Sequence, residues 1–207
     1  MSEPTPPHIA HALSALAAQD ERLAALIDKH GAFTPRRADS PDAFAALARA
    51  IIFQQLAGKA AASIHRRFCA LVDGQVRPSR VGQLSLDQLR SAGLSASKAL
   101  AVADLVQCAQ AGALELSTLD ALSDEALTDH LCQVRGVGPW TAQMFMLFEL
   151  GRLDIWPTGD LAVRRGFSSI YGLEPAVTAR QLEPLGDPFR PYRSIVAWYC
   201  WRVMDTP

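Results

Sequence analysis

Apolar residues recur at helical spacing along most of the chain. Ile9, Leu13 and Leu16 share one face, and Leu23, Leu26 and Ile27 share the next, which Gly31 stops. Thr34 to Asp39 reads as a short connection. Ser40-Pro41 reads as a helix start, a hydroxyl cap followed by proline, with Phe44, Leu47, Ala48 and Ile51 on one face. That helix runs out near Gln54-Gln55-Leu56-Ala57-Gly58. The next is expected to turn Ala60, Ile64, Phe68 and Leu71 inward and His65, Arg66 and Arg67 outward. Leu86 to Ala92 is a short helix, Gly93-Leu94-Ser95 a turn with a cap, and Lys98 to Gln110 a longer helix. Ser123 caps a helix carrying Leu127 and Leu131, and Pro139 opens another that runs to Leu150. Gly151 to Gly159 is a loop, and Asp160 starts a helix with Leu161, Val163 and Phe167. Val177 to Leu185 is short and helical, and Pro191 opens the last helix, with Ile195, Trp198 and Tyr199. No stretch alternates with a strand's period and no repeat recurs, so the pattern predicts an all-α fold of about ten helices.

Composition narrows this only in part. A chain of 207 residues with 49% hydrophobic and 20% charged residues can bury a core without staples. No apolar run approaches the ~20 residues of a membrane span, and the start of the chain has neither the basic nor the apolar region of a secretory signal. We therefore expect a cytoplasmic protein with no membrane partner. Cys69, Cys108, Cys132 and Cys200 are dispersed, which argues against zinc and iron–sulfur sites and suits small core residues in a reducing compartment. The formal net charge of −1 gives no global basic footprint, so any nucleic-acid contact has to be local.

One stretch stands out chemically, Leu131-Cys-Gln-Val-Arg-Gly-Val-Gly-Pro-Trp-Thr-Ala142. It reads as a helix end, a glycine turn and a helix start. Glycines let the backbone turn sharply and be approached closely, and a helix N-terminus offers N–H groups to a phosphate. An ordinary glycine turn between two helices fits the same residues. Asp160 is either a helix N-cap or a working carboxylate. Trp140 and Trp201 are either core or pocket residues, Met144 likewise, and Gln54-Gln55 is either a polar helix end or a group presented to a partner.

Taken together, Ala50-Ile-Ile-Phe-Gln-Gln-Leu-Ala57, Gly93-Leu-Ser-Ala-Ser-Lys98, Gly136-Val-Gly-Pro-Trp-Thr-Ala142, Trp156-Pro-Thr-Gly-Asp-Leu-Ala-Val-Arg-Arg-Gly166 and Pro191-Tyr-Arg-Ser-Ile-Val-Ala-Trp-Tyr-Cys-Trp201 resemble, in order, the helix-hairpin-helix (HhH-GPD) DNA glycosylase superfamily. Within it, the chain is most similar to the 3-methyladenine DNA glycosylase II family in a compact form. The resemblance implies two helical subdomains with a cleft between them, one of residues 1–39 plus 151–207 and one of 40–150 that includes the hairpin 127–150. It implies a monomer acting on double-stranded DNA with alkylated bases of the 3-methyladenine and 7-methylguanine type in base excision repair.

The roles it implies make chemical sense. A base must leave the stack before its glycosidic bond is reachable, and Gln55, with Gln54 beside it, holds the wedge position. An N-alkylated purine carries positive charge that aromatic faces attract, and Trp140 and Trp201 match the pocket aromatics, with Met144 and Phe53 adjoining. Asp160 matches the carboxylate that stabilises an oxocarbenium-like sugar and orients water. Gly136, Gly138, Thr141 and Arg164 match phosphate-binding positions, Arg164 also fitting a solvated helix charge. The Cys132, Val134 and Val137 carbonyls match the ligands of a monovalent Na+ or K+; no other cofactor is implied. Superfamily members that also cut the strand place a lysine where Trp140 stands, and no lysine follows Lys98, which implies a monofunctional enzyme without lyase activity. Phe53 departs from the small residue usual at its position, and Ala57 from a common serine. Two other readings stay open: a non-enzymatic DNA-binding or lesion-sensing protein with a structural Asp160, and a glycosylase for uracil, hypoxanthine or mismatched bases.

Overall fold

The computed structural model describes residues 5–34, 42–56, 58–114, 116 and 118–205. Among them are twelve α-helices, two short 3-10 turns and no strand, which bears out the all-α expectation. They fall into two compact units, one within Met1–Arg36 and Gly151–Pro207, the other within Arg37–Leu150.

The first unit contains α1 (Pro7–Gln19), α2 (Glu21–His30), α10 (Leu161–Tyr171), α11 (Ala179–Leu185) and α12 (Arg193–Asp205). Asp20 ends α1 and caps α2, its Oδ1 accepting the N–H groups of Arg22 and Leu23 at 2.8 and 3.1 Å, while its Oδ2 accepts the Tyr171 hydroxyl at 2.9 Å. Distant segments are thereby tied at one carboxylate. At the heart of the unit lies α12, buried continuously from Arg193 to Cys200. α10 can approach it because Gly166 has no side chain: a Cβ there would run into the Cys200 backbone. Helix α12 begins at Arg193 rather than Pro191, because the 3-10 turn Asp187–Phe189 still occupies the chain before it.

The second unit contains α3 (Ala43–Phe53), α4 (Gly58–Ala70), α5 (Pro78–Val81), α6 (Leu86–Ser91), α7 (Ala96–Gln110), α8 (Asp124–Leu131) and α9 (Pro139–Phe148). α3 packs on α4, α7 and α9, and its sequence suits a helix buried on several sides, with alanines between Phe44, Leu47, Ile51 and Ile52. Truncating a fully buried residue such as Leu47 or Ile51 costs about 2–5 kcal/mol. The expected Ser40-Pro41 cap lies outside the described residues, as does Ala57. The cap the structure records is Asp42, which accepts the Ala45 N–H at 2.9 Å. On α4 Phe68 is buried as expected and Arg66 and Arg67 are exposed, but Ala61 is buried in place of Ala60, and His65 is half-buried between Phe53 and Phe68. Periodicity alone accepts either Ala60 or Ala61; packing on α3 selects the second.

Candidate functional site

In the second unit, α8 ends at Leu131 with Cys132 still in helical conformation, and the Val137 N–H closes a turn onto the Val134 carbonyl at 3.0 Å. Gly136 takes φ 77°, the left-handed region that favours glycine, and a Cβ there would press on Ala101 at 3.2 Å. Gly138 behaves differently. It is extended, and a Cβ would meet nothing within 4 Å, so its value lies in the open space it leaves. Pro139 follows at the first helical position, and no side chain caps α9. The N-cap residue therefore brings no side-chain acceptor to the first turn. Trp140 stands on this first turn and is 41% exposed, too open for a core residue of its size. Thr141 is buried with its hydroxyl turned inward, and Met144, one turn on from Trp140, is half-buried.

The two glutamines part company. Gln54 points its amide into the unit, Nε2 donating to the Gly136 carbonyl and to the Thr141 hydroxyl, each at 2.9 Å. Gln55 is exposed and takes φ 54°, uncommon for a residue with a side chain. Leu56 beside it is 40% exposed, a large apolar side chain presented on the same turn. Its signal in the sequence was a leucine in a polar connection, which the helical pattern did not require. Phe53 is half-buried, with the Arg49 guanidinium 4.2 Å above its ring and His65 at its edge. Burial and Arg49 together hold the His65 imidazole below its ordinary value.

In the first unit, Asp160 is the N-cap of α10. Its Oδ1 accepts the Val163 N–H at 2.9 Å and the Trp201 indole N–H at 3.3 Å. The structure thus brings Asp160 and Trp201 together from α10 and α12. The loop before Asp160 is fixed from the same side: Ser194 Oγ accepts the Ile155 N–H at 2.9 Å and donates to the Arg152 carbonyl at 2.7 Å, and the Ser194 N–H reaches the Leu153 carbonyl at 2.9 Å. The neighbouring carboxylate, Asp154, is consumed structurally. Arg193 binds it through Nε at 2.8 Å and Nη2 at 3.0 Å, and Arg190 adds a contact at 2.8 Å. Trp156 is buried, its indole N–H on the Leu182 carbonyl at 3.1 Å. Arg164 is half-buried, with an enclosed, unpartnered Nε, while Arg165 is exposed. All four cysteines are free, and burial pushes each thiol up, as suits small core residues. Among the described residues no group of His, Cys, Asp and Glu could hold a metal ion, and no helix is long and apolar enough to cross a membrane.

The model of the HhH-GPD superfamily of base excision DNA repair proteins matches residues 48–191, a span that holds both the hairpin and Asp160. The chain belongs to this superfamily. It is 29% identical over 192 residues to the DNA-3-methyladenine glycosylase 1 of Schizosaccharomyces pombe, covering 91% of this chain and 84% of that protein. Its structure is similar to that of the S. pombe 3-methyladenine DNA glycosylase in complex with abasic DNA, with a TM-score of 0.84, covering 93% of this chain and 95% of the other. A crystal structure of a DNA-3-methyladenine glycosidase from Bacillus halodurans gives a TM-score of 0.83 at 30% identity, covering 100% and 92%.

Proposed function

We propose that this chain is a monofunctional DNA glycosylase that hydrolyses the N-glycosidic bond of alkylated bases of the 3-methyladenine and 7-methylguanine type in duplex DNA. The observation that carries the reading is the Asp160 carboxylate, fixed at the N-terminus of α10 by a backbone and an indole N–H on the same oxygen. The relatives named for 3-methyladenine removal support the substrate class.

In this mechanism the C1′–N bond breaks with its electron pair going to the base. That pair neutralises the charge alkylation had placed there, so no strong general acid is required. Asp160 stabilises the sugar cation and orients the water that adds to C1′, whose proton passes to the carboxylate and then to solvent. The aromatic faces offered to the cationic base are Trp201, hydrogen-bonded to the Asp160 carboxylate in the first unit, and Trp140, exposed on the first turn of α9 in the second, where Met144 and Phe53 are the further candidates. Gln55 enters the stack, with Leu56 as an apolar support. The amides after Gly138, including that of Thr141, with the Gly136 turn and Arg164, receive the DNA backbone.

Lysine placement supports the monofunctional assignment. Trp140 occupies the hairpin position, and Lys98 is engaged with two carbonyls of α3, leaving neither as an amine for a sugar adduct. The Cys132, Val134 and Val137 carbonyls are hard oxygen donors of the kind Na+ or K+ takes, and Val134 keeps a second lone pair beside its bond from Val137. A cation held there would add positive charge toward a phosphate.

The test is base release from methylated duplex DNA, with and without alkaline strand cleavage. Free 3-methyladenine and 7-methylguanine, with strand breaks only after alkali, are expected. Release of uracil or hypoxanthine alone would reassign the substrate, strand breaks without alkali would overturn the monofunctional reading, and DNA binding with no release of any base would favour a lesion-sensing module.

A further inference from the structure

We propose that Lys98 and Gln54 are positioning residues that lock the Gln55 turn to the glycine hairpin, so that seating the hairpin on DNA and inserting Gln55 are one event. The proposal rests on the reading of Gln55 as the wedge given above. Lys98 Nζ donates to the carbonyls of Ile52 and Gln54 at 2.7 and 2.6 Å. These lie at the C-terminus of α3, where carbonyls lack helical partners and a cation is favoured. The Gln54 backbone then leaves the helix at ψ 133°, and Gln55 turns left-handed. From the same residue the Gln54 side chain crosses to the Gly136 carbonyl and the Thr141 hydroxyl. One residue thus receives the ammonium on its backbone and grips the turn and the second helix of the hairpin with its amide.

The same helix holds the hairpin independently. α7 carries Lys98, Ala101 and Asp104 at spacings of three, one face of a helix. Ala101 lies against Gly136, and Asp104 Oδ2 accepts the Arg135 N–H at 2.7 Å. The wedge turn and the hairpin therefore share one rigid bed. Burial pushes the Lys98 amine down from its ordinary value, which fits a group drawn out of water to hold two carbonyls. None of these bonds involves Asp160, Trp140 or Trp201, so this bonded network acts on DNA through the placement of Gln55 and the hairpin.

Two readouts test this. The first is fluorescence of 2-aminopurine in a duplex on protein binding, which reports unstacking whether or not chemistry follows. The second is single-turnover release of 3-methyladenine from a duplex and from the same strand unpaired. Gln54→Met keeps side-chain length and Lys98→Met falls one atom short of it, and both lose the donors. Both are expected to lose most of the unstacking signal and to slow duplex release by about 10–100-fold, with single-strand release within about twofold of wild type, because only the duplex requires a base to be extruded. Lys98→Arg, which can still donate to two carbonyls, is expected to restore part of the signal. Gln54→Met leaves the Lys98 contacts in place, so it reports even if Lys98→Met fails to fold. An unchanged signal in Gln54→Met, or equal loss on paired and unpaired DNA, would overturn the proposal. A wild type that unstacks DNA but releases no base would instead condemn the glycosylase reading, with the fluorescence still deciding the role of Lys98.

Discussion

Helices α9 and α10 begin in opposite ways. α9 starts with Gly138 and Pro139 and has no side chain on its first amides, whereas α10 starts with Asp160, whose Oδ1 sits on the Val163 N–H. A helix N-terminus attracts negative charge. α10 brings its own, and the N-cap of α9 brings none. The first arrangement is the one we propose for chemistry; the second brings no carboxylate of its own, which suits the proposed seating of a DNA phosphate there. In that proposal the same backbone feature serves two ends, set by one residue at the N-cap.

The comparison can be broken at either helix. Asp160→Asn keeps a competent cap, since asparagine caps as well as aspartate, but removes the charge. Base release is expected to fall by about a thousandfold, measured under single turnover, with DNA affinity and melting temperature close to wild type. Gly138→Asp makes α9 resemble α10. Its backbone is extended and a Cβ meets nothing, so the change is sterically accepted. It is expected to raise stability by about 0.5–1 kcal/mol in a denaturant titration while weakening DNA binding by about tenfold at low salt, opposite signs that no general damage would produce. Trp140→Ala is expected to weaken capture of the methylated base by about tenfold, read in the concentration dependence of release, with little change in melting temperature, because the ring is substantially exposed.

The smallest effect separates the helix starts from their surroundings. His65 has its imidazole held below 6.5 in the folded protein by burial and by Arg49. As pH falls below that value the unfolded chain takes up a proton the folded chain resists, so stability is full above it and declines toward the folded value. His65→Gln should therefore shrink the drop in melting temperature between pH 7 and pH 5 by about 1–2 °C, without altering either helix start.

What could be read from the chain was local. Gly136, Gly138, Pro139 and the Asp160 cap announce themselves within a few residues, as caps and glycine turns do, and buried faces such as Ile9, Leu13 and Leu16 follow from spacing. What could not be read was long-range or a matter of rotation. Nothing in periodicity tells that Gln54 reaches Gly136 and Thr141, or that Lys98 closes the end of α3, because bonds across tens of residues leave no periodic trace. The division of the glutamine pair into an inward brace and an exposed neighbour is of this kind, and so is the choice of Ala61 over Ala60 on α4. The four-residue α5 is too short to show a period at all.

We propose that the Asp160 carboxylate serves chemistry as well as capping. The most direct test is single-turnover release of 3-methyladenine at saturating protein by the wild type, Asp160→Asn and Asp160→Ser, each with its melting temperature. Serine and asparagine both cap helices, so the account predicts that both variants melt near the wild type and that both lose release. Wild-type release by either variant would contradict it and leave Asp160 as a cap alone.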